Sequence, residues 1–344
     1  MKFGKIAFLG SGETSLAGGR IFESLARQID APLQIAILET PAGFELNASL
    51  VASRVAEFLA SRLGNYKPKI TLIPARKRGG EFSPDNPEIL SPLAEANLIF
   101  MGPGSPTYLA RQLRGSLAWD LIRARHRMGA TLVFSSAATI SVGEFLLPVY
   151  EIYKVGEDVH VKDGLNFFAD FGMPVSFIPH WNNAEGGIDL DTSRCFVGQE
   201  RFDQWRALLP PEHIIVGLDE HSGVILDCEK DMCDVHGVSS VTVMKTRGAK
   251  IYAAGESFSL RELGDCLPPP DLRGGISPQA WSLLDRPSDA AQPSAEVLNL
   301  LERRAEARAR KDYAESDRLR DEISALGWVV KDGKDGQSLA PRSK

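Results

Sequence analysis

At 344 residues, with 43% hydrophobic and 24% charged side chains, the chain has the material for one large α/β domain or two domains and the balance of an ordinary globular protein. A formal net charge of −6 and a pI near 5.6 exclude any general attraction to phosphate backbones or anionic lipid. Four cysteines are too few for a disulfide framework, and no run reaches the roughly 18–20 apolar residues of a membrane span, so a reduced, cytoplasmic chain without a membrane partner is expected.

The short apolar start, Lys5 to Leu9, predicts a buried strand that runs into the loop Gly10-Ser11-Gly12-Glu13-Thr14. After Gly18-Gly19 an amphipathic helix is predicted over Ile21–Ile29, then a strand over Gln34–Leu38 and a helix from about Asn47 to Leu63, whose apolar residues recur at helical spacing. Strands follow at Lys69–Ile73 and Asn97–Met101, the latter ending in Gly102-Pro103-Gly104-Ser105-Pro106. Helices at about Thr107–Leu113 and Leu117–Met128 lead to a strand at Thr131–Ser135. Strands separated by helical segments imply a doubly wound, mostly parallel sheet with helices on both faces, with ligands at the carboxyl ends of the strands.

At one such end the sequence Phe134-Ser135-Ser136-Ala137-Ala138 stops an apolar strand with small residues before a helical segment, the layout of a nucleophile elbow. Ser136 is the better candidate nucleophile because two alanines follow it, although a serine-rich helix cap gives the same letters. The N–H groups of Gly104 and Ala137 could converge as an oxyanion hole, and a plain tight turn is the alternative for the glycine loop. No third glycine of a dinucleotide fingerprint follows Gly10-Ser11-Gly12, and no phosphate-loop lysine occurs, so no nucleotide cofactor is expected.

A general base must stand within hydrogen-bond reach of the hydroxyl. His180 ends a predicted core strand over Pro174–Pro179, which puts it on the same rim; His160, His221 and His236 remain rivals, while His126 and His213 are expected at the surface. Arg194 and Arg201 could grip a substrate carboxylate, or be solvated surface residues, and Ser105 and Asn182 flank the predicted rim as further substrate-binding candidates. Cys228, Cys233 and His236 lack an evident fourth ligand, so no metal site is expected.

Taken together, the glycine loop Gly102-Pro103-Gly104-Ser105-Pro106, the elbow at Ser136, and Gly217-Leu218-Asp219-Glu220-His221-Ser222 with Val235-His236-Gly237 resemble the S51 family of serine peptidases. That family contains dipeptidase E and cyanophycinase and has a class I glutamine amidotransferase-like fold. The resemblance covers about residues 5–260 and implies a peptidase or amidase with Ser136 as nucleophile, His180 as base and Glu151 as the orienting acid, with Glu157 and Asp158 close by. The elbow departs from the family in ending at Ala138 rather than glycine, and His180-Trp181 replaces the usual His-Phe pair. The arginine-rich continuation after it is missing, so the substrate is a small peptide or amide of unassigned identity.

Composition divides the chain at residues 1–262, a Pro/Gly-rich linker over 263–293, and a module over 294–344. Ser294 caps a predicted helix carrying Val297, Leu298, Leu301 and Ala305; a second helix carries Tyr313, Leu319, Ile323 and Leu326; and Trp328 to Lys334 suggests a β-hairpin. This module resembles the C-terminal end of cysteinyl-tRNA synthetase, which implies contact with RNA or a protein partner. Its eleven basic and ten acidic residues give little pull on phosphate. The synthetase's catalytic motifs are absent, so aminoacylation is not expected. The alternative to a hydrolase is a non-catalytic amidotransferase-like scaffold that presents this module, and a homodimer is a candidate assembly.

Overall fold

In β1 (Ile6–Leu9) the side chains of Ile6 and Phe8 enter one apolar layer and those of Ala7 and Leu9 another, because successive residues of a strand point to opposite faces. All four side chains are fully buried, so β1 lies at the centre of a sheet covered on both sides. The computed structural model describes residues 3–285, 294–333 and 336–341, and these fall into two compact units, Met1–Leu284 and Asp285–Lys344.

In the first unit β1 is followed by β2 (Gln34–Leu38), β3 (Lys69–Ile73), β4 (Leu98–Met101) and β5 (Thr131–Ser135), all parallel. Two short strands, β6 (Phe145–Leu146) and β7 (Lys162–Asp163), pair with each other. Then come β8 (Val175–Ile178), β9 (Ile214–Leu218), β10 (Ser222–Asp227), β11 (Met232–Gly237), β12 (Ser240–Lys245), β13 (Gly248–Ala253) and β14 (Ser257–Ser259). The central sheet has the order β14-β11-β10-β1-β5-β4-β2-β3, its last three strands in sequence being antiparallel additions beside β1. The fold is therefore the expected α/β type with a large, mostly parallel sheet.

The helices are α1 (Leu16–Ala26), α2 (Ala48–Arg62), α3 (Pro87–Leu90), α4 (Pro106–Leu113), α5 (Leu117–Arg127), α6 (Ala137–Ser141), α7 (Gly198–Ala207) and α8 (Pro278–Leu284). Helix α1 begins five residues before the expected start and takes in both glycines. Ser15 caps it by accepting from the Gly18 N–H, and a side chain on Gly18 would stand 2.3 Å from the Gly12 carbonyl oxygen, so glycine lets the helix lie on the Gly12 loop.

Two further expectations change. Strand β8, expected in the main sheet, belongs to a second sheet of order β13-β12-β9-β8. That sheet packs on the face of the first that carries Phe8, whose ring stacks on Phe177 at 3.9 Å between centroids. Residues up to 284, expected as linker, are built into the first unit: Ile276, Ala280, Trp281 and Leu283 are buried in its core. Arg127 of α5 donates to the carbonyls of Leu272 and Gly274, and Arg123 to that of Gly275. The rest of the expected linker, 286–293, lies outside the described residues.

The second unit has α9 (Ala295–Ala309), α10 (Tyr313–Ala325) and a hairpin of β15 (Trp328–Gly333) with β16 (Gly336–Pro341). Val297, Leu300, Leu319, Ile323, Trp328 and Val330 form its small core. Arg304 is only 1% exposed and meets both carboxylate oxygens of Asp332 and the amide oxygen of Gln337, tying α9 to the hairpin. Among the described residues no helix is long and apolar enough to cross a membrane.

Candidate active site

Strand β5 ends at Ser135, and α6 starts at Ala137, so Ser136 alone makes the turn; its φ of 51° and ψ of −115° are a backbone conformation that non-glycine residues avoid. Small side chains are needed around such a bend, and Ala137 and Ala138 are buried there. Ser135 points away and donates to Glu13 of the β1 loop at 2.9 Å.

Ser136 Oγ lies 3.1 Å from His180 Nε2. His180 reaches it from the second sheet: leaving β8, its N–H donates to the Gly10 carbonyl at the end of β1, and its φ of 49° turns the ring toward the elbow. On the other side of the ring, Nδ1 lies 2.9 Å from Glu220 Oε1, which also accepts from the Asn183 side chain at 2.9 Å. With Nδ1–H donating to Glu220, Nε2 is an acceptor for the Ser136 hydroxyl. Burial works against ionisation of Glu220, but hydrogen bonds from Asn183 and His180 and the nearby imidazoles outweigh it and hold the carboxyl below its ordinary range.

The acid beside His180 is therefore Glu220, in the β9–β10 turn, and not Glu151. Glu151 instead accepts from Thr107 at 2.5 Å, beside the start of α4. The turn that presents Glu220 is fixed from both sides. The Glu220 N–H donates to Asn182 Oδ1, and buried Asp219 accepts from the hydroxyls of Ser239 and Ser240. Asn182 is thus a scaffold residue. Glu220 was within the segment Gly217–His221 that carried the family resemblance, but the chain order nucleophile, acid, base pointed to Glu151; only the folding of β9 against β8 brings Glu220 to the imidazole.

Gly104 has φ 149°, and a side chain there would stand 1.9 Å from the Pro41 carbonyl oxygen. The N–H groups of Gly104 and Ala137 make no backbone hydrogen bond among the described residues. Ser105 caps α4 by accepting from the Tyr108 N–H. Arg194 is spent elsewhere: its guanidinium stacks 4.0 Å over Trp181 and donates to the Trp181 carbonyl. Arg201 is exposed on α7 and has no hydrogen bond to these residues. Of the rival histidines, His160 bonds to the Asp158 carbonyl, His221 sits over Gly12, and His236 lies on β11. His126 and His213, expected at the surface, are both buried. Among the described residues no three His, Cys, Asp or Glu side chains are grouped to hold a metal.

A hydroxyl at a strained strand-to-helix turn is thus bonded in series to an imidazole and a carboxylate at the carboxyl end of a parallel sheet, in an α/β protein. The fold of the first unit is shared with a peptidase from an acI-B1 Actinobacterium, whose crystal structure superposes with a TM-score of 0.60 at 23% identity, over 75% of this chain and 97% of that one. Residues 292–338 match the family model of the cysteinyl-tRNA ligase anticodon binding domain. Cysteine–tRNA ligases of Pseudomonas entomophila (strain L48) and Pseudomonas fluorescens (strain Pf0-1) are 43% and 40% identical over 84 residues, 24% of this chain. The chain spans 17% of the length of these curated relatives.

Proposed function

We propose that the first unit is a serine-type hydrolase of peptide or amide bonds. His180 takes the Ser136 proton as Oγ attacks the carbonyl; Glu220 holds the ring in the required tautomer and stabilises the imidazolium. The N–H groups of Gly104 and Ala137 receive the oxyanion. His180 then protonates the leaving amine, and water, activated by the same imidazole, releases the acyl group from Ser136. The observation that carries this reading is the unbroken series Ser136 Oγ, His180 Nε2, His180 Nδ1, Glu220 Oε1, with both links near 3 Å. A fluorophosphonate tests it: the reading requires a covalent adduct on Ser136 that is lost in His180→Ala, and a protein that stays unlabelled at millimolar probe sinks it.

The match over residues 292–338 favours a second role beside the first, in which the C-terminal unit contacts RNA. Retardation of bulk bacterial tRNA by the full chain, relieved by Arg308→Glu, would support that role. No retardation at tens of micromolar protein in low salt would remove it.

A further inference from the structure

Beside the candidate oxyanion donors lies an open cavity of about 840 Å³ that neither Ser136 nor His180 lines. It runs along α4 from Ser105, the neighbour of Gly104, past Thr107 and Arg111, with the segment of Tyr150 and Glu151 opposite. Its charges divide into two kinds. Arg78 pairs with Asp85 and Arg114 with Asp163, whereas Glu151, Arg111 and Lys162 form no ion pair among the described residues. Glu151 is the sharper case. One oxygen accepts from Thr107, and the other is buried without any hydrogen-bond partner. A buried carboxylate oxygen left unpaired is unfavourable and calls for a donor. The nearest cation on its own segment, Lys154, is turned onto the ring of Tyr150 instead. The terminal torsion of a glutamate is soft, so either oxygen can face the cavity that the residue lines.

Resting on the hydrolase reading, we propose that this cavity is the subsite that selects the substrate, with Glu151 receiving a cationic group of a short peptide, an ammonium or guanidinium, and Arg111 receiving a carboxylate further along. Thr107 and Arg111 are four residues apart on one face of α4, so the two receptors are separated by about one helical turn, roughly 6 Å along the axis. That spacing suits opposite charges on adjacent positions of a peptide. Arg111 is exposed and lies over the Tyr108 ring, which leaves its N–H groups to a ligand.

The experiment uses the full-length Ser136→Ala protein, so that binding is read without turnover, and titrates three probes by calorimetry. Ala-Asp carries only an α-amine, N-acetyl-Lys-Asp only a side-chain amine, and N-acetyl-Ala-Asp neither. One of the first two should bind about 10- to 100-fold more tightly than the third, which also tells which source of the cation is used. Adding Glu151→Gln, which keeps the acceptor for Thr107, should erase that difference; adding Arg111→Gln should weaken the preferred probe while the difference persists. Equal affinity for all three, absence of binding by all three, or a preference that survives Glu151→Gln overturns the proposal. A Ser136 that labels while the probes show no preference ends the subsite idea alone, and a preference in a protein whose Ser136 never labels ends the hydrolase reading alone.

Discussion

Replacing Glu220 by glutamine keeps the size of the side chain and removes the charge that faces His180. As Ser136 attacks, the ring becomes an imidazolium, and the carboxylate 2.9 Å from Nδ1 then sees a full positive charge. Two unit charges about 4 Å apart attract by about 4 kcal/mol at an effective dielectric near 20. The two side chains are 16% and 27% exposed, so water takes part of this, and about 2–4 kcal/mol remains. A glutamine can also offer its N–H₂ group to Nδ1, which would favour the tautomer with its proton on Nε2 and leave Ser136 without a base. The second-order rate of fluorophosphonate labelling, followed by intact mass, should therefore fall roughly 30- to 1000-fold. The melting temperature should show that the fold is kept, and Glu157→Gln serves as a surface control that labels like the parent. If Glu220→Gln labels as fast as the parent, the carboxylate plays no part; if Glu151→Gln slows labelling instead, the chain-order assignment of the acid was right.

Three further outcomes follow from the geometry. Gly104→Ala should lower the melting temperature and slow labelling at least tenfold, since the new methyl group meets the Pro41 carbonyl oxygen in a backbone that side chains avoid; a stable, fully reactive variant contradicts the tight approach. Arg304→Met should loosen the C-terminal unit by about 1–3 kcal/mol, because Asp332 is 43% exposed and regains water when its partner goes; amide exchange of α9 in the full chain reads this, and unchanged protection refutes it. Burial pushes both His126 and His213 down to about 4 from an ordinary 6.5, so the folded state binds fewer protons than the unfolded one across that range. Stability is then full above pH 6.5 and declines as the pH falls toward 4, by up to about 3 kcal/mol for His126. A urea midpoint that stays flat from pH 7 to 4.5 would show that neither ring is held neutral.

The parallel strands were legible because each is a short apolar run closed by glycine, proline or serine, and their bounds shift by a residue at most: Asn97–Met101 becomes Leu98–Met101, for example. What escaped was long-range. Nothing in Val175-Ser176-Phe177-Ile178 says which of two sheets it joins, since a fully buried strand has the same composition in either. The proline- and glycine-rich stretch before Pro278 reads as exposed because its composition offers no regular element; the side chains that hold its carbonyls, Arg123 and Arg127, lie 145 to 152 residues earlier, on a helix whose basic residues themselves suggest solvent. The elbow was legible from Ser136 and its small neighbours. The positive φ of His180 was not, for it is imposed by bonds to Gly10 and Cys195 and by no local preference of histidine.

Residue type alone would not have singled out Ser136, because the first unit holds a second series of the same three kinds. Ser176 Oγ lies 2.9 Å from His213 Nε2, and His213 Nδ1 lies 3.3 Å from Glu144 Oε2. There the proton count runs the other way. Ser176, with no exposed surface, gives its single proton to the Phe145 carbonyl at 2.5 Å and accepts from the Phe145 N–H, so Nε2 of His213 must be the donor. Nδ1 is left as an acceptor and is buried without a hydrogen-bond partner, its contact with Glu144 being one of distance alone. A serine without a free proton beside an imidazole whose Nε2 is already protonated cannot be activated, however short the contacts. Ser176 lies in extended β8, whereas Ser136 stands at a positive φ with His180 as the one side chain bonded to its hydroxyl among the described residues. The direction in which each proton points, together with the strained turn that frees one hydroxyl from its own backbone, is what marks Ser136 rather than Ser176 as the candidate nucleophile.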